Sequence, residues 1–446
     1  MNPTLSAFLS KRLLDRKGGH RELVLDAFRD HMRQDQMDRA ALDRTMGDRL
    51  AKLLNHARRH VPRFVRLLRD APEITAVNAR EILRAIPPMV RSDIQEHPTD
   101  FLADNVGDSV DDATGGSTGT PMVFKVDRST QIAREASLMW ADQLAGWRYG
   151  ERIAMLWGAP KDLSVTQNLR ARLRCWIENR RWYNAFNMGD NRMREFHRDM
   201  EQFRPHILVA YAGAAFAFAR WLDEQKLQPS YPLRAVISSA EVLLPEMRAA
   251  MEKTFGRSVF DRYGNREAGA MAAECEKHRG LHVNESDVLV EVDGPDPFRA
   301  DGPILITSLC NYAMPFIRYE TGDLGRLAEG SCTCGRQTLR LAKVVGRQSD
   351  MIRTASGKLI HGEFFTHLLY GSPAREFQFV QQSMADYELL VTGDRAAIAA
   401  AQAAWKKEIL HHVGHDAAVN IRHVDQIPSL PSGKRRFTVS KLRTSS

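Results

Sequence analysis

The chain has 446 residues, of which 43% are hydrophobic and 26% are charged, and its formal net charge is +8. This length is too great for one small core, and the composition is that of an ordinary globular protein with room for two or three domains. The basic residues are interspersed with acidic ones, which argues against a nucleic-acid interface and suits small anionic substrates such as nucleotides.

The apolar pattern indicates a cytoplasmic protein that does not enter a membrane. The first nineteen residues contain too few consecutive apolar side chains for a signal peptide, and no apolar run approaches the length of a membrane span. We therefore expect the five cysteines to be reduced thiols or metal ligands.

The N-terminal part predicts helices. Apolar residues recur at spacings of three and four over residues 45–69, which predicts one amphipathic helix there. Its basic face is typical of a surface helix packed on a core, and a membrane-seeking helix is the alternative. Pro87 and Pro88 then break the chain before a second helical piece around residues 92–94.

Residues 114–121, Thr-Gly-Gly-Ser-Thr-Gly-Thr-Pro, can neither bury a core nor propagate a helix. They can direct backbone N–H groups and hydroxyls at one point, which suits a polyphosphate, and a flexible linker is the alternative. No Gly-Lys-Ser/Thr follows, so this is not a Walker A loop, and residues 122–126 predict a strand.

Predicted strands and helices alternate between residues 129 and 260. The strands are expected at 153–157, 206–210, 234–239 and 258–260, and the helices at 129–144, 168–178, 192–203, 214–224 and 245–255. This alternation is typical of βαβ units in a parallel sheet, whose ligands bind at the carboxyl ends of the strands.

From residue 281 onward, strands follow one another without long helices, and a mixed segment with a helix at 395–410 ends the chain. We therefore predict an α/β protein with two domains. The large N-terminal domain, residues 1–349, would combine mainly parallel βαβ sheets with a β-rich subdomain. Residues 350–446 would form a small, mobile α+β domain.

Five polar motifs join the Gly/Ser/Thr stretch, and each alone is typical of an ordinary turn or loop tip. They are Ser238-Ser239-Ala240-Glu241, Asp261-Arg262-Tyr263-Gly264-Asn265-Arg266-Glu267, Arg318-Tyr319-Glu320-Thr321-Gly322-Asp323, Gly346-Arg347-Gln348-Ser349-Asp350 and Pro431-Ser432-Gly433-Lys434.

Together and in this order, the motifs resemble those of the adenylate-forming superfamily, which comprises acyl-CoA ligases, adenylation domains and luciferases. The phenylacetate–CoA ligase-like branch, including the coenzyme F390 synthetase and capsule-protein relatives, is the most similar. The resemblance extends from about Val61 to Lys434 and includes Val61-Pro62 and Ile86-Pro87-Pro88.

The resemblance implies a site for ATP that is built from these motifs. The implied contacts run from the phosphates through the adenine to the ribose: Thr114, Ser117, Thr118 and Gly119 at the phosphates, Ala240, Glu241, Asp261 and Tyr263 at the adenine, and Asp323 with Arg347 at the ribose.

It also implies the catalytic groups. Glu267 would ligate Mg²⁺, Lys434 would be the lysine of the C-terminal domain, and Asp350 would be the hinge between the domains. Attack of a carboxylate on the α-phosphate brings two anions together, so positive charge and positioning are needed rather than a base. A lysine on a separate domain could leave after adenylation and admit a second nucleophile.

Three residues depart from the pattern of the superfamily. Arg266 stands where many relatives have threonine, Met122 stands where a lysine often follows the loop proline, and Glu320 replaces the more familiar arginine before Thr-Gly-Asp. Arg266 would replace a hydroxyl contact to the AMP phosphate with a charge. None of the three is itself essential to the chemistry.

A second group of residues has the chemistry of a zinc site. Cys275, Cys332 and Cys334 with one histidine would make a closed tetrahedral set, although Cys-x-Cys is a less usual spacing and free cysteines are the alternative. Some phenylacetate–CoA ligase-like proteins carry a similar cluster with structural zinc. His282 is the preferred fourth ligand, and His278 is the alternate.

The resemblance implies that the chain activates a carboxylic acid with ATP and Mg²⁺ and transfers the acyl group to coenzyme A. An amide- or ester-forming ligase, an adenylyltransferase and a non-catalytic nucleotide-binding homologue are the alternatives. Trp157 and Tyr211, at predicted strand ends, are candidates for the acyl pocket. Neither a nucleic acid nor a membrane is expected as a partner, and a homodimer is left open.

Overall fold

The computed structural model describes residues 2–13, 19–114, 122–157, 169–185, 189–347, 352–356, 359–360, 363–369, 372–427 and 437–442. Helices precede the first strand: α1 (Pro3–Leu13), α2 (His20–Gln34), α3 (Arg39–His60), α4 (Pro62–Leu67), α5 (Ala79–Ala85), α6 (Arg91–Glu96) and a 3₁₀ helix (Pro98–Phe101). No helix in these ranges combines the length and the apolar character that a bilayer crossing requires.

The single helix predicted over residues 45–69 is two helices, α3 and α4. Val61 lies between them in an extended conformation, with φ −112° and ψ 114°. A residue that precedes proline is sterically disfavoured in the helical region, and Pro62 is the first residue of α4. The apolar spacing continues through the break because both helices pack on the same core.

The middle of the chain alternates between strands and helices, as predicted. A hairpin of β1 (Ser109–Ala113) and β2 (Val123–Asp127) comes first. The alternating elements are α7 (Arg128–Leu144), β3 (Ile153–Trp157), α8 (Leu169–Ile177), β4 (Arg180–Asn184), α9 (Asp190–Phe203), β5 (Ile207–Tyr211), α10 (Ala212–Glu224), β6 (Ala235–Ser239), α11 (Pro245–Phe255) and β7 (Val259–Asn265).

Further strands follow without long helices. They are β8 (Gly269–Glu274), β9 (Leu281–Val283), β10 (Val288–Val292), β11 (Gly302–Ser308), β12 (Tyr319–Leu327) and β13 (Arg340–Arg347). Together with β3 to β7 they form one eleven-stranded sheet in the order β10-β11-β12-β13-β9-β8-β7-β6-β5-β3-β4. The pairs from β4 to β7 are parallel, and the pairs from β7 to β10 are antiparallel.

Helices cover both faces of the parallel half. All five residues of β5 and of β6 are buried, as expected for near-continuous apolar strands between two helical layers. One core lies between the sheet and α9, α10 and α11, and another lies between the sheet and α2 and α7. This arrangement fixes the carboxyl ends of β5, β6 and β7 beside one another.

The C-terminal strands form a sheet of their own. The remaining elements are β14 (Ile352–Arg353), β15 (Leu359–Ile360), α12 (Glu363–Leu369), β16 (Ala374–Gln381), β17 (Asp386–Gly393), α13 (Arg395–Val413), β18 (Ala418–His423) and β19 (Thr438–Ser440). The four-stranded order is β18-β17-β16-β19, over a core that includes Phe365 and Phe379. The predicted α/β fold with a separate C-terminal sheet is confirmed, whereas the boundary between residues 349 and 350 lies outside the described residues and stays a prediction.

Candidate nucleotide site

Glu241 lies just beyond the carboxyl end of β6. Ala240 turns the chain there with φ +68°, a left-handed conformation that residues with a Cβ seldom adopt. The Oε2 atom of Glu241 accepts a hydrogen bond from the backbone N–H of Gly213, at 2.8 Å. A side chain at residue 213 would place its Cβ 3.1 Å from that oxygen, so the glycine permits the close approach. The first turn of α10 and the loop after β6 therefore meet.

The hairpin between β7 and β8 presents Glu267. A Cβ on Gly264 would lie 2.3 Å from the carbonyl oxygen of Gly269, so only glycine lets these two strands pair as they do. Asn265 closes the turn by accepting a hydrogen bond from the N–H of Ala268, at 2.8 Å. The Glu267 side chain is 7% exposed, and its Oε1 accepts a hydrogen bond from the hydroxyl of Tyr319, at 3.2 Å.

Tyr263 and Asp323 are also in contact. The hydroxyl of Tyr263 donates to Oδ2 of Asp323 at 2.8 Å and lies 3.3 Å from Oγ1 of Thr321. Burial, followed by the charges of Asp323 and Glu267, raises the pKa of Tyr263 well above its usual range. Tyr263 thus contacts the carboxylate to which the sequence assigns the ribose, and its pKa responds to the charge of the carboxylate to which the sequence assigns the magnesium ion.

These contacts show that the antiparallel half of the sheet is strongly curved. Strands β7 and β12 are separated by three others in the sheet order. In a flat sheet they would lie roughly 19 Å apart at a strand spacing of about 4.8 Å. Register shifts interrupt the pairs β7–β8, β11–β12 and β12–β13, and bulges of this kind bend a sheet. The curvature brings the 261–267 and 318–323 motifs to one place.

A network of charged side chains holds the backbone at Asp261. Its backbone N–H donates to Oε2 of Glu274 at 2.9 Å, and both Glu274 oxygens accept from Nη2 of Arg248, each at 2.9 Å. His278 approaches the same carboxylate through Nδ1, at 3.1 Å. Burial, with the charge of Glu274, raises the pKa of Asp261 to about 7. The network fixes the part of β7 where the adenine is expected.

The Gly/Ser/Thr stretch is fixed at its base. The N–H of Thr114 donates to the carbonyl of Met122, and the N–H of Met122 donates to Oγ1 of Thr114, both at 3.0 Å. The predicted phosphate contacts Ser117, Thr118 and Gly119 lie outside the described residues. So do Asp350 and Lys434, and Arg347 is placed only by its backbone, which pairs with Asp323 in register.

Sequence reasoning missed several residues of this region. Arg134 of α7 donates through Nη1 to Oδ2 of Asp112 at 2.9 Å and through Nη2 to the carbonyl oxygen of Glu267 at 3.2 Å. Tyr319 was noted only as part of its motif. Arg134 lies in an ordinary helical pattern, so no local signal marks it. Asp112 precedes the Gly/Ser/Thr stretch by two residues, and that proximity was the available signal.

The C-terminal sheet contacts the large domain beside Glu241. Phe437, directly before β19, packs against the core below α10. A Cβ at residue 213 would lie 3.7 Å from Cζ of Phe437. The rings of Phe377 and Phe437 have centroids 5.3 Å apart.

The two aromatic residues predicted for the acyl pocket are also in contact. The rings of Trp157 and Tyr211 have centroids 4.3 Å apart at the adjacent ends of β3 and β5.

The cysteines and histidine predicted as a zinc site come together. The ligand atoms of Cys275, His282, Cys332 and Cys334 all lie within 4.8 Å of one another. The sulfurs of Cys275 and Cys332 are 3.8 Å apart, and Sγ of Cys334 lies 3.3 Å from Nε2 of His282. Nδ1 of His282 lies 2.8 Å from the hydroxyl of Thr338. His278 is instead engaged with Glu274 and lies outside this group.

Comparison with known proteins finds several relatives of the chain. A family model described as the CapK C-terminal domain matches residues 352–441. Protein CapK of Staphylococcus aureus is 22% identical over 383 residues, which cover 83% of this chain and 82% of CapK. The phenylacetate–coenzyme A ligase of Pseudomonas putida is 26% identical over 341 residues, covering 71% of this chain and 74% of that ligase. These relatives confirm the resemblance to the adenylate-forming superfamily, in its phenylacetate–CoA ligase-like branch.

A solved structure of the superfamily has the same fold. It is that of 2-hydroxyisobutyryl-CoA ligase in the postadenylation state, in complex with R3-HIB-AMP. The TM-score is 0.69 at 19% identity, and the match covers 91% of this chain and 90% of the ligase. At this identity the likeness concerns the fold alone.

Proposed function

We propose that this protein is an AMP-forming acid–thiol ligase that activates a carboxylic acid with ATP and transfers the acyl group to coenzyme A. The observation that carries the proposal is the convergence of Glu267, Tyr263 and Asp323, which come from motifs far apart in the chain. The relatives named phenylacetate–coenzyme A ligase support the choice of reaction.

The reaction has two steps. In the first, an oxygen of the substrate carboxylate attacks the α-phosphorus of ATP, the bond to the β-phosphate oxygen breaks, and pyrophosphate leaves. In the second, the thiol of coenzyme A attacks the acyl carbonyl, the thiol proton is lost to solvent, and AMP leaves with its phosphate oxygen. Two anions meet in the first step, so the site must supply positive charge and orientation.

The residues at the nucleoside end would orient ATP. Asp323, held by Tyr263, offers carboxylate oxygens to the ribose hydroxyls, with Arg347 beside it on the neighbouring strand. Ala240, Glu241 and Asp261 would line the adenine. The loop that begins at Thr114 would hold the phosphates through Ser117, Thr118 and Gly119, and Lys434 would bring positive charge to the transition state.

Glu267 suits a magnesium ion. Carboxylate oxygens are the ligands that Mg²⁺ prefers, and the ion commonly takes one protein carboxylate together with substrate phosphates. The hydrogen bond from Tyr319 fixes the orientation of that carboxylate. When bound, the ion would neutralise phosphate charge during adenylation.

Cys275, His282, Cys332 and Cys334 suit a structural zinc ion. Two thiolates at about 2.3 Å from zinc in a tetrahedron lie about 3.8 Å apart, and the sulfurs of Cys275 and Cys332 are 3.8 Å apart. Thr338 would orient the His282 ring from the second nitrogen. Four protein ligands leave no position for a substrate, so the ion would stabilise the fold rather than take part in the reaction.

A pyrophosphate-exchange screen over aryl, fatty and amino acids tests the first step and identifies the acid. We expect exchange that requires both ATP and one class of acid. ATP binding without acid-dependent exchange would instead support a non-catalytic nucleotide-binding protein.

The acceptor is tested separately, with the acid found in the screen. Coenzyme A and a set of amines are offered together with ATP, and the products are identified by mass spectrometry. Thioester formation supports the proposal. Amide formation, or release of acyl-adenylate alone, would contradict the second step while leaving the first intact.

A further inference from the structure

The last turn of α2 and the start of α3 (residues 31–39, the α2–α3 junction) lie against two segments that begin near the Cys/His cluster. The first segment, residues 285–287, starts three residues after His282, and the second, residues 336–337, starts two residues after Cys334. The strands β9 and β13, which precede and follow these segments, pair in register at two positions. A metal ion on the cluster would therefore be a second connection between the two segments.

Both segments hold the α2–α3 junction by hydrogen bonds. The hydroxyl of Ser286 donates to Oε1 of Gln34 at 2.8 Å. Arg39 donates through Nη1 and Nη2 to the two carboxylate oxygens of Glu285, at 2.8 and 3.2 Å. Nη1 of Arg39 also donates to the carbonyl oxygen of Gln337, at 3.1 Å. The junction thus depends on the relative position of the two segments.

Arg336 connects the junction to the cluster. Its Nε donates to Oδ2 of Asp35, the residue that follows α2, at 2.9 Å. The same oxygen accepts a hydrogen bond from Nε1 of Trp140 on α7, at 3.1 Å. The side chains of Asp35 and Arg336 are 4% and 17% exposed, and Nη1 of Arg336 lies 3.8 Å from the more exposed Glu276. Loss of either partner would leave a buried charge without its counterion.

Arg336 also contacts a proposed metal ligand. Burial raises the pKa of the Cys334 thiol, but hydrogen bonds from the backbone and the guanidinium of Arg336 lower it overall. Three thiolates on a divalent ion leave one net negative charge, which a neighbouring guanidinium stabilises. The guanidinium of Arg340, on β13, instead donates to three backbone carbonyl oxygens. Arg336 rather than Arg340 therefore links the cluster to Asp35.

We propose that the Asp35–Arg336 ion pair couples the Cys/His cluster to the α2–α3 junction. A metal ion on the cluster would hold the junction in place, and the junction would in turn strengthen binding of the ion. This inference rests on the structural zinc ion proposed above. Because such coupling is reciprocal, a variant that removes one effect must also remove the other. The helix α2, which packs with α7 on the sheet, would then depend on the metal content of the protein.

Two measurements on the R336Q variant of the full chain test the coupling. Zinc affinity is measured by competition with a chromophoric chelator, and we expect it to fall by about 10- to 100-fold, the usual effect of losing an outer partner of a metal ligand. Hydrogen exchange of residues 31–39 is measured by mass spectrometry on zinc-loaded protein. We expect these amides to exchange about ten-fold faster than in the unaltered protein.

Further variants separate the link from its parts. D35N leaves Arg336 beside Cys334 but removes the anion, so both effects should appear again. R336K keeps the positive charge and should recover part of the zinc affinity. R422Q is the matched control, because Nε of Arg422 donates to Glu388 at the same 2.9 Å on the C-terminal sheet. It should change neither zinc affinity nor exchange at residues 31–39.

Two patterns would overturn the inference. One is a change in only one of the two quantities in R336Q, because coupling requires zinc affinity and exchange at the junction to change together. The other is equal acceleration of exchange in α10, on the opposite face of the sheet, because that pattern indicates a general loss of stability. Chelator-treated unaltered protein should also exchange faster at residues 31–39, and unchanged exchange there would contradict the coupling.

Failure of the proposed function would look different. If the protein exchanges pyrophosphate with no acid and R336Q still shows both effects, the activity is wrong and the coupling stands. If the purified protein neither contains nor binds zinc, the zinc assignment and the coupling are both wrong. If the protein is an active ligase that binds zinc and R336Q shows neither effect, only the coupling is wrong.

Discussion

The nucleotide site and the Cys/His cluster lie at the two ends of the same strand, β8, and they are built in different ways. The cluster draws four ligands from two short segments into a space of 4.8 Å. The candidate nucleotide site instead collects side-chain and backbone groups from β7, the turn between β7 and β8, β12, α7, α10 and the loop after β6. Single hydrogen bonds link these groups in pairs. The four residues of the cluster would form a closed set around one ion, whereas the described residues of the candidate nucleotide site share no common centre among themselves.

The comparison explains why the two regions should respond differently to change. Four ligands on one ion act together, so the loss of any one of them should lower the stability of the whole fold. Paired residues around a ligand can be lost one at a time, with effects mainly on binding and rate. Glu274 joins the regions, because it precedes Cys275 in the chain and accepts the hydrogen bond from Asp261.

The largest effect is expected from Lys434→Ala. Removal of the proposed cation should lower the rate of pyrophosphate exchange by at least about 100-fold, because charge stabilisation in the transition state is lost. Binding of AMP should change little. Lys441→Ala, directly after β19, is the control. Unchanged exchange in the Lys434 variant would refute its role.

Loss of the Cys/His cluster should chiefly affect stability. Cys332→Ser is expected to abolish zinc binding and to lower the free energy of unfolding by several kcal/mol, on the order of the cost of losing a structural metal. Metal content by mass spectrometry and urea denaturation measure the two effects. Cys175→Ser, outside the cluster, should change neither. Protein purified without zinc and with unaltered stability would contradict the proposal.

A smaller effect is expected from Tyr263→Phe. The variant leaves Asp323 without the 2.8 Å hydrogen bond, which is worth about 1 kcal/mol, so the KM for ATP should rise roughly five-fold with little change in stability. Tyr387→Phe removes a hydroxyl that is bound to the carbonyl of Met384 in the C-terminal sheet and should leave the KM unchanged. A KM equal to that of the unaltered protein would contradict the assignment of Asp323 to the ribose.

The last prediction is a pH dependence of stability that arises from Asp261. Its pKa rises from 3.8 to about 7 through burial and Glu274, so the folded protein keeps this proton to higher pH than the unfolded chain does. The unfolded chain then binds fewer protons between these values, and stability falls as the pH rises from about 4 to 7.

Asp261→Asn removes this contribution. The variant should gain stability relative to the unaltered protein at pH 8 and show no gain at pH 4, as measured by urea denaturation at both values. An equal difference at the two pH values would show that Asp261 does not titrate in this range.

Much of the fold followed from local patterns. The buried strands β3, β5 and β6 are short apolar runs between helices. The Ser238–Glu241 motif falls at the carboxyl end of β6, where ligands bind in parallel sheets. The separate C-terminal domain was predicted because a mixed segment with a helix follows a series of strands without long helices. These features depend on residues that are close together in the sequence, so a single sequence is enough to predict them.

The features that the sequence did not predict depend on tertiary structure. The strand β4, Arg180–Asn184, has few apolar residues and pairs at the edge of the sheet, so no apolar run marks it. The contact between Tyr263 and Asp323 needs the curvature of five consecutive strands. The choice between His278 and His282 needed the position of Glu274, which engages His278, and spacing alone could not supply it.

The backbone and side chain of Thr114 form reciprocal hydrogen bonds with Met122. Because these bonds join the two ends of the intervening segment, its length can change with little effect on the stability of the hairpin of β1 and β2. With its ends already joined, adding one or two residues to this segment would cost little, since closure entropy grows only logarithmically with length. Relatives with shorter or longer versions could therefore adjust how they hold an anion without rebuilding β1 and β2. Replacing Thr114 by alanine, in contrast, would remove one of the two bonds at the point where the segment begins.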